Sequence, residues 1–373
     1  SAPCKPDSND DIILLTLNNS INQFYDYYEY GKQLKNAILT VIKKGWTVVL
    51  LVELKNGRKK IVKLIESLPS ALASGKLRIY YYERNNRLVI NELFAVPGKG
   101  ALYCFSSKLM NQMDSAFLFR SKLSIKLISE HYCQFFSSAK PLLHEYASYA
   151  KADFQLKITE SEESLGNRYY FNGGFSSITI PMNLYEKYLK MCKMPKQEAL
   201  LWLDYHRRRL TAFEAQICCF RYKDIVLKEA VKMLVREKKY LFTKNYILEN
   251  CIPNDEDIAC HLENIVNMLK TYGNYEIAFV SRNDCKSACR VLWMVKENCS
   301  AIFKAADINT QKNLSYDSGK SVINALVTEK DVIYAIQEYF NNLWNELELN
   351  KKQKERTIKW LNRQIALIKK KVM

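Results

Sequence analysis

Apolar positions along this chain switch between helical spacing and short continuous runs, and the switches divide it into two arms about a polar centre. From Asp11 to Tyr30 the apolar residues (Ile12, Leu15, Leu17, Ile21, Phe24) recur at mixed spacing, which predicts a helix and a loop. Leu34, Ile38, Val41 and Ile42 predict a helix over 33–44, closed by Lys43, Lys44 and Gly45. The β-branched run from Trp46 to Glu53 predicts a buried strand, and 58–73 a second amphipathic helix. Short strands at 77–83, 88–96 and 101–105 lead into a long helix over 121–143.

The centre is Tyr169–Tyr185, with the chain's one Gly-Gly pair, Gly173-Gly174, followed by Ser176, Ser177, Thr179 and Pro181. Glycine gives the backbone freedom for a tight turn or a close approach, and proline ends the extended run. Two short strands are predicted around that turn. The stretch 183–240 reads as almost wholly helical, with His206-Arg-Arg-Arg209 fanning around one axis as a solvated face. Residues 224–237 and 243–250 imitate a helix-turn-helix, but Ile225, Val226, Val231, Leu234 and Val235 mark the first as core. The second arm repeats the order of the first: a helix over 261–273, strands at 275–280, 291–295, 301–304 and 322–327, and a helix over 329–347. Gly273 before its strand corresponds in this reading to Gly45 before 46–53. The expected division is a first α/β lobe (1–150), a central turn and helical connector (151–250), a second α/β lobe (251–348) and a basic C-terminal helix (349–373).

In that last helix Ile358, Leu361, Ile365, Ile368 and Val372 form a heptad seam, which predicts pairing with a second copy in a homodimer. Charge adds to the picture here. The net charge is +17, and residues 350–373 hold nine Lys or Arg against one acid, so the basic excess is concentrated in the tail. The hydrophobic content of 48% over 373 residues allows more than one core. Eleven cysteines at irregular spacing in so long a chain fit a reducing, cytoplasmic setting; Cys218-Cys219 are adjacent, and Cys285 and Cys289 are four apart without a completing zinc pattern. No apolar run reaches a membrane span, and no metal or cofactor is expected.

Two lobes of this order resemble those of the phospholipase D superfamily, whose chemistry needs an H-x-K-x4-D motif in each lobe. His131, His144, His206 and His261 are followed two positions on by Cys133, Tyr146, Arg208 and Glu263, so none carries the lysine. The resemblance implies the fold without its catalysis. The run Gly174–Pro181 with Tyr185 and Leu189, His261-Leu-Glu-Asn264 and Asn274-Tyr275 is similar to the C-terminal sensor region of bacterial Xre-type helix-turn-helix regulators. That implies a non-catalytic sensor and oligomerisation region whose DNA-binding domain precedes Ser1, where the sequence begins without a methionine. Its ligand (a small molecule, peptide or protein effector) is expected at Tyr170, Phe171, Gly173, Gly174, Ser176 and Thr179. The alternatives are a phosphodiester-acting enzyme of unrecognised type, or a nucleic-acid-binding body that uses its basic tail.

Overall fold

A computed structural model describes residues 11–17, 28–82, 92–106, 113–146, 151–240, 251–281, 291–306 and 322–372. The fold is mixed α/β and contains two seven-stranded sheets. In the first, β1 (Ile12–Thr16), β2 (Thr47–Glu53) and β3 (Leu77–Tyr82) are parallel neighbours. β4 (Glu92–Val96) lies antiparallel on the other side of β1, followed outward by β5 (Gly100–Ser106) and β6 (Met113–Phe119). The short β7 (Lys140–Pro141) closes the edge beside β3. All seven residues of β2 are buried, as a central parallel strand covered on both faces requires.

The connections explain the parallel pairs. α1 (Tyr28–Lys43) carries the chain from β1 to β2; α2 (Leu54–Ser67) and α3 (Pro69–Ala73) carry it from β2 to β3. Gly45 and Gly75 end these crossovers at φ +92° and +66°, conformations that suit a residue without Cβ. After β6, α4 (Lys122–Phe136) packs Ile125, Tyr132 and Phe136 onto Leu14, Val49 and Leu93. The segment 11–17 is therefore a buried strand where a helix and loop were expected. Its apolar run is short because it forms an interior strand, between β4 and β2, with Leu14 packed against α4.

The second sheet also contains β8 (His144–Tyr146) and β9 to β14, namely Arg168–Asn172, Tyr222–Leu227, Tyr275–Val280, Val291–Lys296, Ser300–Ala306 and Val322–Val327. Its order is β11-β10-β9-β12-β13-β14-β8. Read from β14 to β11, this repeats the order of β6 to β3 in the first sheet. The pairing senses agree as well: β9 is parallel to β10 and antiparallel to β12, and β10 is parallel to β11. The repeat is real, but its register differs from the expected one by a strand. β11, after Gly273, corresponds to β3 after Gly75, and the second copy of the pattern opens at β9.

The segment 151–250, expected as a connector, thus supplies β9 and β10 to the second sheet. α5 (Lys151–Glu163) precedes β9, α6 (Met182–Met191) and α7 (Lys196–Gln216) link β9 to β10, and α8 (Lys228–Glu237) and α9 (Asp255–Thr271) link β10 to β11. Residues 222–227 were missed as a strand because Ile225, Val226 and Leu227 also satisfy a helical spacing with the residues of α8. The 243–250 half of the helix-turn-helix imitation and the Cys285/Cys289 pair lie outside the described residues.

Internal contacts divide the chain into one unit of residues 1–145 and 305–335, and another of 146–304 and 336–373. α10 (Lys330–Glu346), the short α11 (Leu349–Lys352) and α12 (Lys354–Val372) end the chain. The α12 seam, expected to face a partner chain, lies inside the second unit: Leu361, Ile365 and Ile368 are buried with Ile258, Leu262 and Ile265 of α9. Helical spacing gives an apolar stripe but not its partner, and here the partner is local. Among the described residues, no helix is long and apolar enough to cross a membrane.

Candidate functional site

The polar centre folds at the carboxyl end of β9, where open α/β sheets commonly bind ligands. The entry to β9 is tightly set. Gly166 has φ +143°, and a Cβ there would stand 3.0 Å from the Glu297 carbonyl oxygen. Asn167 and Glu297 also share two bonds, Glu297 N donating to the Asn167 carbonyl at 2.9 Å and Asn167 N to the Glu297 side-chain Oε2 at 3.1 Å. After β9 the chain bends at Gly173-Gly174, makes a single 3-10 turn at Ser177–Thr179 and enters α6 behind Pro181.

Arg168, at the start of β9, is fully buried. Its Nε donates to Glu162 Oε1 at 2.8 Å, its Nη1 to Asp224 Oδ1 at 2.8 Å, and its Nη2 to Ser176 Oγ. Asp224 Oδ2 also accepts from the Tyr275 hydroxyl at 3.1 Å. One guanidinium therefore ties α5, β9, β10 and the turn together through its rigid fork of donors. Burial opposes its charge, but Glu162 and Asp224 outweigh that and hold its pKa above the ordinary value. Burial pushes the Asp224 carboxyl up to about 6, even against Arg168 and Tyr275. The carboxylate is still the main form at neutral pH.

A second arginine, Arg209 of α7, donates to Thr159 Oγ1, Ser177 Oγ and Gln155 Oε1. A third layer holds Lys296, whose ammonium donates to Gln216 Oε1 at 2.8 Å and Tyr222 Oη at 3.0 Å. Gln216 in turn donates to the carbonyls of Glu162 and Glu163. Burial brings the Lys296 pKa down to about 8, with Glu162 opposing the fall.

The two buried histidines sit on the other side of the turn. Thr179 Oγ1 donates to the Ser176 carbonyl at 2.7 Å and is 2.8 Å from His261 Nε2. With the threonine proton committed, Nε2–H donates to Thr179, so Nδ1 accepts from the Tyr240 hydroxyl at 3.0 Å and Tyr240 accepts from Tyr188. The result is a directed chain from Tyr188 through Tyr240, His261 and Thr179 to Ser176. Asn264 adds a bond from Nδ2 to the Thr179 carbonyl. His206 Nε2 donates to the Ile180 carbonyl at 2.9 Å, and its ring stacks on Tyr185 at 3.8 Å. Both imidazoles are driven down to about 3, His261 by burial and His206 by burial together with Arg209. They are neutral structural groups at physiological pH.

The structure brings together the six residues expected to meet a ligand. Phe171, Gly173, Gly174, Ser176 and Thr179 are buried, and Tyr170 is half-buried with its ring 4.7 Å from the Arg168 guanidinium carbon. Ser176 and Thr179 are bonded to internal partners rather than presented at a surface. The residues that organise the centre (Arg168, Glu162, Asp224, Arg209, Gln216 and Lys296) were not singled out for it from the sequence, and Arg209 was placed on a solvated face. In the structure the 206–209 run does fan around its helix: Arg207 is exposed, Arg208 pairs with Glu163 at 2.7 Å, and His206 and Arg209 point inward. A charged residue at the head of an apolar strand, as Arg168 is before Tyr169-Tyr-Phe171, was the available signal.

No protein-family model matches the chain. No curated protein matches it either. Among solved structures, similarity extends to TrmBL2, an archaeal chromatin protein described with a novel mode of DNA binding, at TM-score 0.30 and 12% identity. That match covers 61% of this chain and 62% of TrmBL2, so the chain spans less than two thirds of its length. A phosphatidylserine synthase from Haemophilus influenzae Rd KW20 aligns over 97% of this chain and 89% of its own, at TM-score 0.27 and 11% identity. A polyphosphate kinase from Porphyromonas gingivalis aligns over 96% of this chain and 52% of its own, at TM-score 0.26 and 12% identity. Scores this low do not assign the chain to a family. Among the described residues, no group of three or more His, Cys, Asp or Glu is placed to hold a metal ion.

Proposed function

We propose that this chain is the non-catalytic sensor or effector region of a transcriptional regulator, in which the second unit works as a locked scaffold around the turn at 173–181. The observation that supports this reading is the internal commitment of the polar groups at the end of β9. Arg168, Arg209, Lys296, Glu162, Asp224 and His261 all bond to protein partners, and both central histidines are held neutral. A general base or nucleophile needs a pKa near the working pH and access to a substrate. These histidines have neither, which favours a body that binds over one that turns substrate over.

Two measurements test the reading. Mapping the sites that the full reading frame occupies on its host chromosome should give discrete sites whose neighbouring transcripts change when the gene is deleted; no such sites would refute the regulatory role. The purified chain should not hydrolyse bis(p-nitrophenyl) phosphate above buffer, and turnover that tracks the protein through purification would refute the non-catalytic part.

A second reading, direct nucleic-acid binding, draws on α12. With Leu361, Ile365 and Ile368 turned inward, Arg356, Lys359, Arg363, Lys369 and Lys370 are left exposed. Lys369 is partly engaged by Glu263 at 2.7 Å. Binding through such a face would weaken steeply with salt, because each phosphate contact releases condensed counterions.

A further inference from the structure

The turn between α7 and β10 carries the adjacent cysteines 218 and 219. Both are exposed, and they are the exposed free thiols among the described residues. Successive side chains on a helix point about 100° apart, yet here the two Sγ atoms are 3.4 Å from each other. The backbone that produces this convergence is held from several directions. Cys219 N and Phe220 N both donate to the Gln216 carbonyl, at 3.0 and 2.9 Å. Asn274 Nδ2 donates to the carbonyls of Ile217 and Cys218, each at 3.0 Å. Asn167 Oδ1 accepts from Arg221 N at 2.8 Å. The backbone under the two thiols is thus set before anything binds, which lowers the ordering cost of binding.

Distance decides what such a pair can hold. A disulfide needs sulfurs about 2.05 Å apart on Cα atoms at least about 4.4 Å apart, whereas neighbouring Cα atoms are fixed near 3.8 Å. Closing that ring would have to deform the turn held by Gln216 and Asn274. One soft centre bonded to both sulfurs at about 2.3 Å can bridge any separation up to about 4.6 Å, which includes 3.4 Å. Such a bridge needs no movement of the backbone.

We propose that Cys218 and Cys219 form a two-thiol site for a trivalent thiophilic centre of the class R–As(OH)2. Two Sγ–As bonds form and two As–O bonds break. The two thiol protons leave with the two hydroxides as water, and no atom changes oxidation state. The remaining described thiols are less accessible: Cys104 and Cys251 are buried, and Cys133, Cys192, Cys260 and Cys299 are half-buried. The site stands apart from the regulatory reading and does not depend on it.

The probe is phenylarsine oxide, titrated into the purified chain and read by native mass spectrometry and thiol counting. Expected is one high-affinity adduct per chain that consumes two thiols, reversed by 2,3-dimercaptopropanol and not by 2-mercaptoethanol at the same concentration. Cys218→Ser and Cys219→Ser should each weaken this binding at least 100-fold with an unchanged circular dichroism spectrum. The double variant Cys285→Ser, Cys289→Ser should bind as the parent does. Absence of a high-affinity adduct on the parent chain, unchanged affinity in both single variants, or its loss in the 285/289 variant would each overturn the assignment.

Discussion

Acidification from pH 7 to pH 5 should destabilise this fold through two groups that its interior refuses to charge. His206 and His261 have folded pKa values of about 3 against an ordinary 6.5. Their contribution is present above pH 6.5 and is lost as pH falls towards 3, because only the unfolded chain takes up the protons. At about 1.36 kcal/mol per pH unit and per group, the two cost ~4 kcal/mol between pH 7 and pH 5. Asp224 acts in the opposite direction. Its folded pKa of about 6 lies above the ordinary 3.8, so below pH 6 the folded state takes up a proton first and regains ~1 kcal/mol by pH 5. The net loss is on the order of 3 kcal/mol, with a slope that rises to about one proton by pH 6 and stays there to pH 5, because the two histidine protons are offset by the one on Asp224. Urea unfolding followed by tryptophan fluorescence at pH 7.0, 6.0 and 5.0 measures it. His261→Asn should lower stability at pH 7 but flatten the pH slope by one proton. An unchanged midpoint from pH 7 to 5, or a full slope in the variant, would refute the argument.

Other consequences are open to direct measurement. Arg168→Met should cost about 3–5 kcal/mol in chemical denaturation, since it leaves Glu162 and Asp224 buried without their cation; an effect under about 1 kcal/mol would mean that water replaces the fork. Leu361→Ala should cost about 2–5 kcal/mol of stability without changing the solution mass, because its side chain packs on α9; a fall in mass on dilution would restore the tail as a subunit contact. Gly166→Ala should be destabilising by more than about 1 kcal/mol, given its φ of +143° and the Glu297 carbonyl 3.0 Å from the added carbon. Arg363→Glu with Lys359→Glu should leave the urea midpoint within about 0.5 kcal/mol, while lowering retention on a phosphocellulose column at 50 mM salt. Equal retention would count against a basic binding face on α12.

Local pattern revealed much of the second arm. The helix closed before Gly273, β11, β12, β13, β14 and α10 all lie close to the expected spans, because each has its own punctuation in glycine, asparagine or a capped start. The start of α9 was the exception: expected at 261, it lies at Asp255, where the Asn254 side chain accepts from Asp257 N and Asp257 returns a bond to the Asn254 amide. Where reading failed, two spacings coincided. Ile12–Leu17 and Tyr222–Leu227 are short apolar runs next to helical sequence, and only their sheet neighbours distinguish strand from helix. The centre was legible as a place and not as a mechanism of cohesion. Gly173-Gly174 and the hydroxyls marked the turn, but the partners that fill it come from positions up to 85 residues away, as with Asn264 and Thr179. No single-chain spacing rule connects Arg168 to Asp224 or Gln216 to Lys296.

The discontinuous make-up of the two units has a consequence for how the chain is born. The first unit is built from residues 1–145 and 305–335, so its earlier part leaves the ribosome roughly 160 residues before the piece that completes it. At common translation speeds that is a wait of about 10–30 s, during which the first sheet has all its strands but lacks the 305–335 segment of its unit. The second unit in turn is complete only once the final helix has emerged. A nascent chain of this kind depends on its last segments, and chaperone engagement should therefore persist until termination.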